Sequence, residues 1–289
     1  MADAPIISYW RKGLKHQNFG DLLSELLLRE LSGRSLLHPQ WGRPRSRLDV
    51  LHLIGSVISD YHVKAGLEHS QGGANAKVAF WCCGKKDALP LDPELLEHCV
   101  FFGVRGPLTR DALGLPPDTP MGDPALLLPA LYSPRPATEF SGASLCVPHF
   151  LEKKTDEQLL SSTGAQAVVR PNIEASLDAI HQFIDKITSA RFVLCGALHA
   201  AIVCCAYRVP YSYFDSGFID VPFKWRDFAA SIGIEADFAR TLPEGEQLHT
   251  KLFSGIRKPD LAQILACAPI TPPDRLKKKV HRYLRAESA

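Results

Sequence analysis

The sequence predicts an α/β fold made of two doubly wound domains, residues 1–132 and 143–289. Three observations carry that prediction. Short apolar strand-like runs alternate with helix-like runs along most of the chain. The alternation is interrupted once, by LYSPRPATEFSGAS (131–144), a stretch with two prolines, several serines and little apolar content, and then it restarts. The chain has 289 residues, 46% of them hydrophobic, which suits two cores of about 100–150 residues each.

Along the first half, PIISYW (5–10) is a strand-like opening. NFGDLLSELLLRELSG (18–33) turns at Gly20 and then runs as a helix with Leu22, Leu23, Leu26, Leu27 and Leu31 on one side, stopped by Gly33. LDVLHLIGSVI (48–58) is a buried strand running into a Gly-Ser turn. KVAFWCCG (77–84) and HCVFFGVRG (98–106) are further strands, the second leading to a helix near PLTRDALG, and TPMGDPALLLPAL (119–131) starts on a turn. In the second half, SLCVPHF (144–150), QAVVRPN (166–172), RFVLCG (191–196) and VPYSYF (209–214) read as strands. SLDAIHQFIDKITSA (176–190) is an amphipathic helix with Leu177, Ile180, Phe183, Ile184 and Ile187 on one face, and ALHAAIVCCAYR (197–208) is an apolar helix. In doubly wound sheets ligands bind at the carboxyl ends of the strands, so two such domains predict a site in the cleft between them.

Composition removes several function classes. A 22% share of charged residues with a net charge of +2 gives no global nucleic-acid signature. The opening MADAPIISYWRKG lacks the apolar run of a secretory signal, and no apolar stretch reaches the ~20 residues of a membrane span, so a cytoplasmic protein is expected. The eight cysteines form no CxxC and lie in apolar runs. They are expected as buried free thiols, with no metal site.

Five places can carry chemistry. Asp21, after Asn18-Phe19-Gly20, either caps a helix or presents a carboxylate at its start. Arg105 ends a strand, where it meets either an anionic ligand or a neighbouring acid. Asp123-Pro124 either caps a buried turn or lines the cleft. His149 also follows a strand, and histidine there can move protons near neutral pH. His199 falls in the first turn of an apolar helix, as core or as a cleft residue at a helix N-terminus, where the macrodipole disfavours imidazolium.

Taken in order, Asn18-Phe19-Gly20-Asp21, Gly55-Ser56, Val104-Arg105, Asp123-Pro124-Ala125, Pro148-His149, Leu198-His199 and Val209-Pro210 resemble the polysaccharide pyruvyl transferase family, in particular bacterial exopolysaccharide ketal pyruvyl transferases of the xanthan or succinoglycan type. The resemblance implies an architecture like that of the GT-B glycosyltransferases and transfer of a pyruvyl group from phosphoenolpyruvate to two hydroxyls of one sugar. It implies His199, His149 and Asp21 as catalytic residues, Arg105, Leu198 and Arg170 at the donor, and Asn18, Asp21 and Asp123 at the acceptor. No cofactor beyond the co-substrate is implied. One departure stands out: the family reads Arg-Leu-His-Gly where this chain reads Ala197-Leu198-His199-Ala200, so another cation, with Arg105, Arg170 and Arg191 as candidates, must meet the donor's charge.

The chemistry matches those residue types. Protonating the methylene carbon of phosphoenolpyruvate needs a general acid, and attack by a sugar hydroxyl needs a base. A donor of about three negative charges wants arginines and a helix N-terminus. The C-terminal DRLKKKVHRYLRA has an apolar stripe of Leu276, Val280, Tyr283 and Leu284 among cations. Residues 274–286 can lie on an anionic membrane surface, which suits a lipid-linked oligosaccharide acceptor at the inner face of the cell membrane, or can pack on the protein body. Two other readings remain: a glycosyltransferase of similar architecture using a nucleotide sugar, and a non-catalytic sugar-binding relative, suggested by Ala197 and Ala200.

Overall fold

The computed structural model describes residues 6–8, 15–32, 50–70, 73–252 and 255–288. Its first part runs β1 (Ile6–Ile7), β2 (His16–Asn18), α1 (Phe19–Ser32), β3 (Val50–His52), α2 (Asp60–His69), β4 (Val78–Cys83), α3 (Pro93–Leu96), β5 (Cys99–Val104), α4 (Pro107–Ala112) and α5 (Leu128–Leu131). The second part runs β6 (Ser144–Val147), α6 (Asp156–Thr163), β7 (Ala167–Val168), β8 (Asn172–Glu174), α7 (Leu177–Ser189), β9 (Phe192–Cys195), α8 (Leu198–Tyr207), β10 (Tyr211–Phe214), α9 (Pro222–Ser231), β11 (Phe238–Ala239), α10 (Leu242–Leu252), α11 (Leu261–Ala266) and α12 (Asp274–Ser288).

Two parallel sheets result, one in the order β1-β3-β4-β5 and one in the order β11-β10-β9-β6-β7. The central strands VAFWCC, SLCV and FVLC are buried at every residue, as continuous apolar strands covered on both faces must be. One apolar core joins the two sheets: Leu22 and Leu26 of α1, Leu51 and Trp81 of the first sheet, and Leu145 and Val193 of the second belong to it. Separate clusters cover the outer faces, around Val63 and Phe80 for the first sheet and around Leu159 and Phe192 for the second.

Three findings refine the element-by-element expectations. β2 pairs antiparallel with β8, a two-stranded ribbon that links the two parts and that apolar periodicity did not announce, because HQN and NIE are polar. α1 begins at Phe19, so Gly20 lies within the helix and not in a turn before it. Gly33, read as the stop of that helix, lies outside the described residues. The Pro-rich 131–144 stretch is not a bare connector, since Asp185 of α7 accepts from the Tyr132 hydroxyl (2.9 Å) and the Arg135 amide (2.8 Å), and Ser189 accepts from the Ala137 amide (2.8 Å).

The C-terminal segment closes on the first part. The Trp81 indole donates to the Ile264 carbonyl at 3.0 Å. In α12, Leu276 and Val280 are buried and Tyr283 and Leu284 pack against the main core, while Arg275, Lys277, Lys278, Lys279, Arg282 and Arg285 are exposed. The apolar stripe of the tail is therefore already occupied by the protein's own core. No described helix is long and apolar enough to cross a membrane.

Candidate active site

The carboxyl ends of both sheets lead into one polar cluster. From the first sheet come Gly55-Ser56 beyond β3, Gly84-Lys85 beyond β4 and Arg105 after β5. From the second come Pro148-His149 after β6 and the start of α8 after β9. The first turn of α1 lies against the start of α8 so tightly that a Cβ on Gly20 would fall 2.1 Å from Nδ1 of His199. Glycine is required there by close approach, at the cost of helix propensity.

Asp21 is in that same first turn, not at the cap. It accepts from the Asn18 side-chain amide at 2.7 Å. Burial pushes its pKa from 3.8 up to about 6, against the opposing pull of Asn18, Lys224 and Lys86. Asp123 is buried and caps its 3-10 turn by accepting from the Ala125 amide at 2.9 Å. Burial raises it also to about 6, with the Arg105 charge pulling the other way. The structure thus answers the two Asx questions differently, since Asp123 caps its turn and Asp21 caps nothing, but both add a protonatable carboxyl to the cluster.

His199 is the second residue of α8, and its Nε2 lies 3.7 Å from Asp123. Burial lowers its pKa to about 3, and the Arg105 and Lys224 charges add to the shift. The expected direction is thus found. Burial is its main cause, with two side-chain cations helping. His149 is also buried. Its Nε2 meets Asp220 at 3.4 Å and its Nδ1 accepts from the Leu151 amide at 3.3 Å.

Of the two partners expected for Arg105, an anionic ligand or a neighbouring acid, the structure shows an acid. The arginine is fully enclosed, with Nη1 on Ser56 (2.7 Å), Nη2 on the Lys85 carbonyl (3.4 Å) and Nε 3.3 Å from Asp227. A Cβ on Gly84 would lie 2.1 Å from its Nη2. Asp227, on α9, also accepts from the Thr109 amide (2.9 Å) and hydroxyl (2.6 Å), so the pair ties α9 to the start of α4. Arg105 supplies field to the cluster, not an exposed fork.

Arg170 is not brought to the cluster. Its guanidinium is taken by Asp156 (2.8 Å) and the carbonyls of Glu152 and Lys154, where it fastens the loop behind His149. Arg191 sits at the opposite, amino end of β9, on Glu246 (2.7 Å) and Ser144 (2.6 Å). Leu198 is buried in the main core. Among the described residues no group of His, Cys, Asp and Glu is arranged to hold a metal ion, and all eight cysteines are free thiols, six of them buried.

Sequence reasoning missed Asp220, Lys224 and Asp227. All lie in DVPFKWRD (220–227), where an i, i+4 acid–lysine pair reads as a solvated helix face. Lys224 instead bonds Asp220 beside His149. Asp220 is held well below the usual carboxylate range: burial opposes the shift, but hydrogen bonding from His149 and the charge of Lys224 prevail. A positive φ of 49° at Val221, between the two, is the one local irregularity.

With this geometry in place, comparison with known proteins shows which class the chain is similar to. Residues 89–215, which hold Arg105, Asp123, His149 and His199, match the family model "Polysaccharide pyruvyl transferase". The family that the sequence resembles is the one whose model matches this part of the chain. The chain is further similar to the succinoglycan biosynthesis protein ExoV of Rhizobium meliloti (strain 1021), 28% identical over 138 residues, which cover 45% of this chain and 40% of that protein. No solved structure matches.

Proposed function

We propose that the chain transfers a pyruvyl group from phosphoenolpyruvate to two hydroxyls of one sugar in an exopolysaccharide repeat unit, forming a cyclic ketal and releasing phosphate. The family match and the similarity to a succinoglycan biosynthesis protein support the reading. The observation that carries it is the meeting of two readily protonated carboxyls, Asp21 and Asp123, with a histidine held neutral, His199. The architecture that goes with it is two doubly wound halves, residues 1–132 and 143–289, facing across the cluster as in GT-B glycosyltransferases.

The electrostatics suggest a division of labour. A donor of about three negative charges raises the pKa of every group it approaches. Asp21 then carries the proton that the methylene carbon must receive. The same charge offsets Arg105 and Lys224 and restores basicity to His199. The first sugar hydroxyl bonds to C2 of the donor and its proton passes to His199, while Asp123 steadies the imidazolium. The second hydroxyl displaces phosphate from C2, and the departing phosphate carries off its proton. The carboxyl acts as acid and the histidine as base, since a pKa of about 3 keeps His199 unprotonated until the donor's charge reaches it.

The test is acceptor-dependent phosphate release from phosphoenolpyruvate. His199→Ala should lower kcat by about 10²- to 10⁴-fold, the range of lost general acid–base catalysis. Near-normal turnover would remove His199 from the mechanism, and saturable binding of nucleotide sugars in place of phosphoenolpyruvate would favour a glycosyltransferase.

A lipid-linked acceptor completes the reading, with residues 274–286 resting on an anionic membrane. Because Leu276 and Val280 are buried, the contact is electrostatic, through the exposed cations, each contributing on the order of 1 kcal/mol. Co-sedimentation with phosphatidylserine vesicles should fall with added salt and with charge reversal at Arg275, Lys278 and Arg282. Salt-independent binding, or none, would sink it.

A further inference from the structure

Two cations act on this cluster from inside the protein, and the surroundings of each decide what it can touch. Arg105 has no exposed surface, and each of its three guanidinium nitrogens faces a protein oxygen. Lys224 keeps 11% of its side chain exposed. An ammonium carries three donors, and among the described residues Asp220 is its hydrogen-bond partner. Ala197, the residue before α8, brings no charge.

Lys224 is also central. Its charge acts on Asp21 of the first part and on His199 of the second, and it shares Asp220 with His149. The backbone is bent to place it: Val221, a β-branched residue, adopts a left-handed φ of 49° immediately before α9. Such a conformation is costly for valine and persists only where its surroundings enforce it. Here it sets the Asp220 carboxylate and the first turn of α9, with Lys224, on one side of the cluster.

We propose that Lys224, held on Asp220, is the anion-gripping residue of the site, contacting the phosphate or carboxylate oxygens of the donor, and that Arg105 takes no part in that contact. Asp220 is the positioning residue, aiming both the Lys224 ammonium and the His149 ring. The inference rests on the donor reading above and adds the residue that recognises it.

The experiment is calorimetric titration of phosphoenolpyruvate into the full chain, wild type and variants, with circular dichroism to confirm folding. Lys224→Met should weaken binding by roughly 10- to 100-fold, the loss of a hydrogen bond to a charged group. Lys224→Arg should recover most of it, and Arg191→Met, at the far end of β9, should bind like wild type. A folded Lys224→Met that binds as tightly as wild type overturns this inference and leaves the donor reading standing. A wild-type chain with no saturable phosphoenolpyruvate binding overturns both. If Lys224→Met does not fold, Lys224→Gln serves, with the same two outcomes.

Discussion

Two acid–base pairs meet at α9, each with one member on the helix, and they are built differently. Arg105–Asp227 is sealed: neither side chain has exposed surface, Asp227 also accepts twice from Thr109, and Gly84 and Gly106 press against the pair. Lys224–Asp220 is open at 11% and 30% exposure, and its carboxylate turns a second lone pair to His149. The sealed pair fixes the distance between β5 and α9. The open one keeps donors available. The same helix therefore carries a sealed strut and a partly exposed ammonium, one turn apart.

The largest effect should come from breaking the sealed pair. Arg105→Met leaves Asp227 buried without its counter-charge, which costs about 3–5 kcal/mol. Lys224→Met leaves Asp220 partly in water and still bonded to His149, so its stability cost is about 1 kcal/mol or less. Chemical denaturation of both variants measures the contrast. Equal losses would mean that the two pairs are structurally equivalent and would erase the distinction drawn between them.

The same contrast explains what could be read from the sequence. Parallel strands such as VAFWCC and FVLC are legible because burial on both faces leaves an unbroken apolar run. α7 is legible by its 3.6-residue period, and Ser176 caps it by accepting from the Ala179 amide at 3.1 Å. Asp21, Asp123, His149 and His199 are found because each sits at a strand or helix boundary, where sequence punctuation marks the ligand-binding edge. The openness of a charged group has no such mark. The sequence leaves Arg105 between an anionic ligand and a neighbouring acid, because its partner Asp227 lies more than a hundred residues away and sequence spacing cannot announce that meeting. Lys224 is hidden for the opposite reason. Its i, i+4 acid looks like a solvated pair until α9 is docked on α4.

A smaller effect tests whether the sealed arginine also serves the cluster through its field. Asp123 has a folded pKa of about 6 against 3.8 for an unhindered aspartate, raised by burial and moderated by Arg105. Between those two values the folded state holds a proton that the unfolded state has released, so this carboxyl opposes folding increasingly from about pH 4 to about pH 6 and by a constant amount above that. Asp123→Asn, which keeps an acceptor for the Ala125 amide, should therefore stabilise the protein by about 3 kcal/mol at pH 8, on the scale of 1.4 kcal/mol per pKa unit. The gain should shrink as pH falls and vanish towards pH 4, where both states of the wild type are protonated. Thermal unfolding of the two proteins across pH 4–8 reads it directly. A stabilisation that does not depend on pH would mean that packing, and not the proton, sets the difference. In that case Asp123 keeps the same pKa folded and unfolded, and the proton proposed to reach the donor comes from Asp21 with no neighbouring carboxyl to share it.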